Sequence, residues 1–283
     1  MEKLDITDPI EALFNDNQND SDNRDFRINV VKKAFAEDNS FTKCIELQDT
    51  VNAKKIGAGW LEGENNTNWP TDFSIASIAE IGECLESSSY AWWKKEKTKD
   101  TENMITELID VLHFEISKLL QGFPKDPELR NAIMVSSWAT SDIIIGKEEM
   151  DGLSDYDKQV MFNQLIKKLI FFISMPEEFK PDNTIESFVA VFVTLFDLFR
   201  VFDVSKEDII KRYYIKNALN TLRSNYGYKE KKYIKSWIDI AVGTATEDNY
   251  VALKICKGVE LNFDKIYDTL ENYYIENVLA EVE

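Results

Sequence analysis

Apolar side chains recur at helical spacing along almost the whole chain, and this pattern constrains the fold more than any other feature. In one stretch Met104, Leu108, Leu112, Ile116 and Leu119 fall on a single helix face. Only 10 glycines and 6 prolines interrupt 283 residues, and strand-like alternation is scarce. We therefore predict an all-α fold, a helical bundle with helices near residues 27–37, 41–56, 73–93, 101–121, 128–146, 155–173, 183–202, 205–225 and 263–280.

The N-terminal region differs from the rest of the chain because it is almost wholly polar. Residues 14–25 read FNDNQNDSDNRD and lack both the glycine and the terminal glutamate of an EF-hand calcium loop. We predict a mobile N-terminal segment over residues 1–25 and a single all-α domain over residues 26–283. Part of the helical structure of this domain can itself be mobile.

One helix start is marked clearly in the sequence. Asp100, or Thr101 after it, precedes an acidic first turn, which is typical of the beginning of a helix.

Charge and cysteine content exclude several classes of protein. The net charge of −18, from 51 acidic and 33 basic residues, argues against binding duplex nucleic acid. The three cysteines are far apart and odd in number, which fits a reducing cytoplasm. The first residues lack the pattern of a signal peptide, and the richest apolar stretches are too short to cross a bilayer. We expect no nucleic-acid or membrane partner.

Two pairs of acidic residues follow each other on successive predicted helices. Glu80 and Glu83 lie on the side of their helix away from an apolar stripe of Ile75, Ile78, Ile81 and Leu85. Four residues lie together on the far side of the next helix: Asn103, Glu107, Asp110 and Phe114.

The composition of the polar face of the second helix indicates that this face packs against another part of the protein. A solvated face normally includes lysines, but this one contains a large aromatic, Phe114, and no base. Carboxylates that face each other across a helical hairpin repel unless a cation lies between them, and hard oxygen ligands suit Mg²⁺ or Mn²⁺. From the residues alone, a metal site and two solvated faces remain equal alternatives.

A second informative region combines basic, amide and phenol donors. Tyr213, Lys216, Asn220 and Arg223 share one helix face in YYIKNALNTLRSNYGYKEKKY. Gly227 lets the chain turn sharply after the helix, so that Lys229 can fold back towards Lys216. Such donors suit a polyphosphate, whereas a solvated basic face near a helix C-terminus is the alternative.

Two amides and the only histidine complete the candidate residues. Gln48 and Asn52 are four apart and share a helix face, and their amides carry the donors and acceptors that read a nucleobase edge. Ordinary surface amides are the alternative. His113 is the only histidine of the chain, which excludes a His-rich metal site.

Together these stretches resemble the dimeric dUTPases of the all-α NTP pyrophosphatase superfamily. The resemblance runs through LQDTVN, EIGECLESSSYAWWK, ELIDVLHF and YYIKNALNTLRSNYGYK, and it covers about residues 41–280. The two acidic pairs mark the superfamily, and the segment KN-x-L-N-x-x-R followed by GYK is more specific to the dUTPases. Neither the N-terminal region nor residues 238–262 carry a motif of the family.

The resemblance implies the fold of that superfamily, a homodimer and Mg²⁺-dependent hydrolysis of dUTP to dUMP and pyrophosphate, with Mn²⁺ as a substitute metal. The family also accepts dUDP, supplies dUMP, limits uracil incorporation into DNA and directs water at the β-phosphorus. The implied metal ligands are Glu80, Glu83, Glu107 and Asp110, and Glu80 would also activate the water. Base and sugar would contact Gln48, Asn52, Trp92, His113 and Phe114, and the phosphates would contact Tyr213, Lys216, Asn220, Arg223, Tyr228 and Lys229.

Three further readings remain open on the sequence. Glu86, three residues beyond Glu83, is a candidate for an additional contact near the metal. A related all-α pyrophosphatase acting on another nucleotide, such as dCTP, would share most of these features. A helical relative that binds a nucleotide or a protein without turnover is the alternative outside the enzymes.

Overall fold

Helices account for most of the chain, as the apolar periodicity predicts. The computed structural model describes residues 28–29, 32–33, 35–64, 66, 70–88, 90, 93, 99–145, 150, 152–175, 185–240 and 242–280. The chain divides into two compact units, Met1–Lys206 and Glu207–Glu283. The predicted segment 1–25 lies outside the described residues, and the predicted boundary between it and residues 26–283 stays a prediction.

The first unit is built from six α-helices among the described residues. A short 3₁₀ helix, Trp60–Glu62, follows the first of them. The α-helices are α1 (Thr42–Ile56), α2 (Phe73–Ser87), α3 (Thr101–Gly122), α4 (Pro127–Ile144), α5 (Asp155–Ser174) and α6 (Ile185–Val201). Each of these six helices was predicted, although α2 ends at Ser87 rather than near residue 93. Of the predicted helix at 27–37, the described residues 28–29 and 32–33 are helical, and residues 35–37 form a turn.

Acidic and hydroxyl side chains fix where several helices begin. The Asp72 side chain accepts hydrogen bonds from the amides of Ser74 and Ile75 at the start of α2. Asp100 caps α3, as predicted, by accepting from the amide of Asn103. Such caps satisfy backbone N–H groups that have no partner within the helix, so they set the register of the two helices that carry the acidic pairs.

The core of the first unit forms around α6, which packs against α4 and α5. Phe192, Phe196 and Phe199 on α6 are fully buried, and the ring of Phe196 contacts those of Phe41 and Trp138. On α3 the whole predicted apolar stripe, Met104 to Leu119, is buried. Burial of large apolar side chains supplies the main driving force for such a bundle.

The second unit contains three α-helices and a small sheet among its described residues. Its elements are α7 (Lys206–Asn225), β1 (Ser236–Asp239), β2 (Thr244–Glu247), α8 (Asp248–Ile255) and α9 (Phe263–Tyr274), followed by a π-helical turn over Ile275–Leu279. The strands pair antiparallel with Trp237 opposite Thr246. Most of the hairpin and the whole of α8 fall within residues 238–262, a stretch that carries no motif of the family and for which no helix was predicted.

The prediction of an all-α fold is confirmed, since the regular secondary structure of the described residues is helical apart from this one hairpin. Among the helices that the structure describes, none combines the length and hydrophobicity needed to cross a lipid bilayer.

Candidate active site

The two acidic pairs lie on α2 and α3, which pack against each other more extensively than any other two described elements. Ser77 on α2 donates to the Oε1 atom of Glu115 on α3 over 2.7 Å, and Cys84 Sγ lies 3.5 Å from the Met104 carbonyl oxygen. The prediction that Ile75 belongs to the buried stripe of α2 is wrong, because Ile75 is 63% exposed. The face that packs against α3 instead includes the small residues Ser77 and Cys84. Their low hydrophobicity gives little indication of burial in the sequence.

Three carboxylates come together across the two helices. One oxygen each of Glu80, Glu107 and Asp110 lies within 4.8 Å of the others. Glu107 is buried, whereas Glu80 and Asp110 are half-buried. Octahedral Mg²⁺ holds oxygen ligands at about 2.0–2.1 Å, so that opposite ligands are about 4 Å apart. The donor set and its spacing therefore fit a hard divalent cation after small side-chain movements.

Glu83 lies one turn further along α2 and is exposed. It is separated by about a third of a turn from the buried side of α2 formed by Ser77, Ile81 and Cys84, which explains why it lies outside the group of three. The side chain lines an open groove with a volume of about 630 Å³. The groove is lined by Ala79, Gly82, Glu83, Leu85, Glu86, Ser87, Tyr90 and Asn103.

The two predicted amides are buried, which removes the interpretation that they are ordinary surface residues. Gln48 and Asn52 on α1 are only 4% and 5% exposed. Gln48 Nε2 donates to Asn52 Oδ1 over 3.1 Å and to Ser117 Oγ over 3.0 Å, and Asn52 Nδ2 donates to the same oxygen over 2.8 Å. Ser117 in turn donates to the His113 carbonyl oxygen over 2.8 Å. This network joins α1 to α3 and fixes both amide planes.

His113 and Phe114 follow the acidic pair on α3. The Nδ1 atom of His113 lies 2.8 Å from the Ile109 carbonyl oxygen. Since that oxygen only accepts, Nδ1 carries a proton and donates it to this bond. The Phe114 ring is half-buried and lies 6.4 Å from that of Phe73. Trp92, the other predicted aromatic contact, lies outside the described residues.

The predicted phosphate-binding residues all belong to the second unit. On α7 Tyr213 and Lys216 are buried, and Asn220 and Arg223 are half-buried. Gly227, where a sharp turn was predicted, adopts a left-handed conformation with φ at 76°. Beyond it Tyr228 and Lys229 lie on the exposed surface of the turn.

Arg223 is held by residues that the sequence analysis did not single out. Its Nε and Nη2 atoms donate to the two carboxylate oxygens of Asp248 over 2.8 and 2.6 Å. Tyr233 Oη also donates to Asp248, over 2.8 Å. Burial, reinforced by the Asp248 carboxylate, raises the pKa of Tyr233 above its ordinary value, so the phenol keeps its proton and donates.

Four residues were missed: Ser117, Tyr233, Asp248 and Asn249, whose Oδ1 atom accepts from Arg223 Nη2 over 3.2 Å. Ser117 carries one signal, since it lies four residues after His113 and therefore on the same face of α3. Asp248 and Asn249 resemble any acidic helix start, and only the tertiary structure brings them to α7.

An all-α chain with a group of carboxylates on two paired helices has the features of an all-α nucleotide hydrolase. A family model described as dUTPase matches residues 40–228, well over half of the chain. The chain belongs to this family, the dimeric all-α dUTPases, and the activity of the family is that of a dUTP diphosphatase. The matched range contains every predicted site residue except Lys229. No protein with a curated description matches the sequence.

Proposed function

We propose that the protein hydrolyses dUTP to dUMP and pyrophosphate with Mg²⁺ held by Glu80, Glu107 and Asp110. Glu83 lies outside this group of three in the structure, and we propose that its exposed side chain turns towards the bound cation as a fourth ligand. The observation that carries the proposal is the approach of three carboxylates from α2 and α3 within 4.8 Å, in a chain of the dUTPase family. Mn²⁺ is the proposed substitute, since it prefers the same oxygen ligands. A bound cation would neutralise part of the negative charge of the phosphates and lower the pKa of a water molecule that it binds.

Glu80 is the proposed general base. It lies at the edge of the α2–α3 contact and is half-buried, so it can reach both the cation and a water molecule. Glu80 takes a proton while the water oxygen attacks the β-phosphorus. The bond between that phosphorus and the oxygen bridging to the α-phosphorus breaks, and dUMP leaves with the bridging oxygen. Hydrolysis of dUDP at the same phosphorus would yield dUMP and phosphate.

Uracil recognition is proposed for the buried amides. Asn52 donates one N–H of its side-chain amide to Ser117, and the Asn52 Oδ1 atom accepts from Gln48. The second N–H of the Asn52 amide is proposed to donate to a uracil carbonyl oxygen. Cytosine presents an amino group in place of O4, and two donors would then face each other. We propose that His113 and Phe114 pack against the base and the deoxyribose. An apolar ring there disfavours a ribose, because the 2′-hydroxyl would be buried without a partner.

We propose that hydrogen-bond donors and cationic side chains of the second unit bind the substrate phosphates. Lys216 and Arg223 supply positive charge, and Tyr213, Asn220 and Tyr228 supply hydroxyl and amide groups. Lys229, in the exposed turn after Gly227, is proposed to join them when substrate binds. Positioning and electrostatic stabilisation by such groups carry most of the catalysis of phosphoryl transfer.

Product analysis tests the activity and the site together. Incubation with dUTP should release dUMP and pyrophosphate with Mg²⁺ present, and neither when the metal is chelated. Glu80→Gln should abolish turnover while the circular dichroism spectrum stays that of wild type. Glu102→Gln is the matched control, since Glu102 lies exposed in the first turn of α3. Unchanged turnover in Glu80→Gln would refute the assignment of the base.

Isotopic labelling tests the position of attack. In water enriched in ¹⁸O, attack at the β-phosphorus places the label in pyrophosphate, whereas attack at the α-phosphorus places it in dUMP. The same experiment with dUDP should place the label in phosphate. A labelled dUMP product would contradict the proposed step.

A panel of nucleotides tests the substrate. The proposal expects dUTP to be preferred over dCTP and over UTP in kcat/KM. Preference for dCTP would instead favour a related pyrophosphatase with another base specificity.

We also propose a cytoplasmic homodimer. The family is dimeric, and all three cysteines are free and buried, which suits a reducing compartment. Because α6 forms the core, α5 is the better candidate for an interface: Tyr156 and Phe171 expose 76% and 59% of their surface. Light scattering should give twice the chain mass, and Phe171→Glu should lower it if α5 forms the contact.

A further inference from the structure

The first turn of α8 contacts both cationic residues that we assign to the phosphates. All the groups concerned belong to the second unit. Asp248 accepts from Nε and Nη2 of Arg223, at 2.8 and 2.6 Å. The next residue, Asn249, accepts at its Oδ1 atom from Arg223 Nη2 over 3.2 Å and from Lys216 Nζ over 3.4 Å. Two consecutive side chains therefore hold Lys216 and Arg223 together.

The pairing of Arg223 with Asp248 fixes a direction as well as a distance. A bidentate arginine–carboxylate bond holds the guanidinium and carboxylate planes in one orientation. This bond uses the Nε and Nη2 atoms of Arg223. The remaining nitrogen, Nη1, is on another edge of the guanidinium and lies 3.5 Å from Asn220 Oδ1. The Nη1 edge is thus directed towards the α7 residue that we also assign to the phosphates.

Burial makes this arrangement rigid. The Asp248 side chain is fully buried and that of Arg223 is 13% exposed. A buried carboxylate without its partners would be strongly destabilised, and Tyr233 supplies a third hydrogen bond to it. Asn249 offsets the repulsion between two neighbouring cations by offering one oxygen to both. The cations are therefore placed before any ligand arrives, which lowers the entropy lost on binding.

We propose that Asp248 and Asn249 are positioning residues that hold Arg223 and Lys216 in the orientation required by the substrate phosphates. The inference rests on the proposed role of those two cations. It goes beyond the family match, which ends at residue 228 and so contains neither Asp248 nor Asn249.

A double-mutant cycle tests the inference. Asp248→Asn should lower kcat/KM for dUTP by about 10- to 100-fold, since small misplacements of binding groups have effects of this size. In an Arg223→Ala background the same substitution should cause no further loss, because Asp248 acts through Arg223. A general structural role predicts the same factor in both backgrounds, and that result, or no loss in the single variant, would overturn the proposal.

Asp239→Asn is the matched control. Asp239 on β1 pairs with Lys254 on α8 at 2.8 Å, so the substitution also removes an ion pair from the same unit and helix. We expect its kcat/KM to remain that of wild type. If Asp248→Asn does not fold, Asn249→Ala decides, since it removes no charge. Its kcat/KM should fall several-fold at an unchanged melting temperature, and a value equal to wild type would refute the proposed role of Asn249.

Binding of inorganic triphosphate separates this inference from the proposed function. Calorimetry with wild type and the two α8 variants measures phosphate binding without the base or the reaction. Weaker binding in both variants supports the positioning role even if dUTP is not hydrolysed. Equal binding in all three proteins would overturn it even if dUTP is hydrolysed.

Discussion

Ser117 on α3 accepts a hydrogen bond from Asn52 on α1 over 2.8 Å, and the same oxygen accepts from Gln48 over 3.0 Å. One hydroxyl thus orients both amides that we assign to the base. Ser117→Ala leaves two buried N–H groups without this acceptor, and we expect a loss of about 1–3 kcal/mol in the free energy of unfolding. Because both amides then lose one of the hydrogen bonds that orient them, the preference for dUTP over dCTP in kcat/KM should also fall, by roughly tenfold.

Ser137→Ala is the control for this prediction. Ser137 is also fully buried, and its hydroxyl donates to the carbonyl oxygen four residues earlier over 2.8 Å, as that of Ser117 does. The two variants therefore lose the same local bond, but only one loses the amide contacts. An equal change of specificity in both would show that the Ser117 network does not select the base.

The α2–α3 pair shows what periodicity can and cannot predict. The helix bounds and the buried stripe of α3 follow from apolar spacing, because large side chains mark the core directly. The contact face of α2 does not, since Ser77 and Cys84 carry little hydrophobic signal and are recognised only by what they touch. Acidic residues at i, i+3 suggested four ligands, but the helix rotation set by this face brings Glu80 rather than Glu83 to Glu107.

The second unit marks a different limit of sequence reasoning. Donor residues on one face of α7 could be identified because their spacing is local. Their partners, Asp248 and Asn249, are 25 or more residues away along the chain and follow a hairpin that the helical pattern did not predict. Long-range pairing of polar side chains leaves no periodic trace, so it has to be observed in the structure.

Metal binding should be measurable as stability without any turnover. The carboxylates of Glu80, Glu107 and Asp110 lie within 4.8 Å of one another, and a cation bound only by the folded chain stabilises it. At a free Mg²⁺ concentration 100 times the dissociation constant the gain is about 2.7 kcal/mol. Glu107→Gln should reduce the Mg²⁺-dependent rise of the melting temperature, as measured by differential scanning calorimetry. Glu102→Gln, on the exposed face of α3, should retain the wild-type rise; equal responses of the two variants would contradict a site at Glu107.

Two helix glycines should respond oppositely to alanine. A Cβ atom on Gly122 would lie 2.9 Å from the ring of Phe188, whereas among the described residues no atom beyond the surrounding helix backbone and the two chain neighbours lies within 4 Å of a Cβ on Gly82. Gly122→Ala should therefore destabilise the protein by about 1–3 kcal/mol through overpacking. Gly82→Ala should stabilise it by about 0.5–1 kcal/mol, because alanine favours the helix. Urea unfolding measures both, and a stabilising effect of Gly122→Ala would contradict the packing of α3 against Phe188.

Asp197 on α6 should make stability depend on pH. It is 1% exposed, and burial raises the pKa of Asp197 above its ordinary value despite a hydrogen bond with Ser141 and the nearby charges of Lys168 and Arg200. The folded state therefore binds this proton more tightly than the unfolded state. Stability from this group is full below the ordinary carboxyl range and falls as pH rises through the raised pKa. Asp197→Asn has no such proton, so its stability relative to wild type should increase with pH and then level off.

Urea unfolding of wild type and Asp197→Asn between pH 4 and pH 8 checks this expectation. Asp142→Asn serves as the control, because Asp142 is 65% exposed at its side chain and pairs with the same Arg200 over 2.9 Å. Removal of this pair, whose carboxylate is largely exposed, should cost at most about 1 kcal/mol. A difference between Asp197→Asn and wild type that stays constant, or shrinks as pH rises, would mean that the buried carboxylate is well solvated by its partners, and that Lys168 and Arg200 compensate its charge in full.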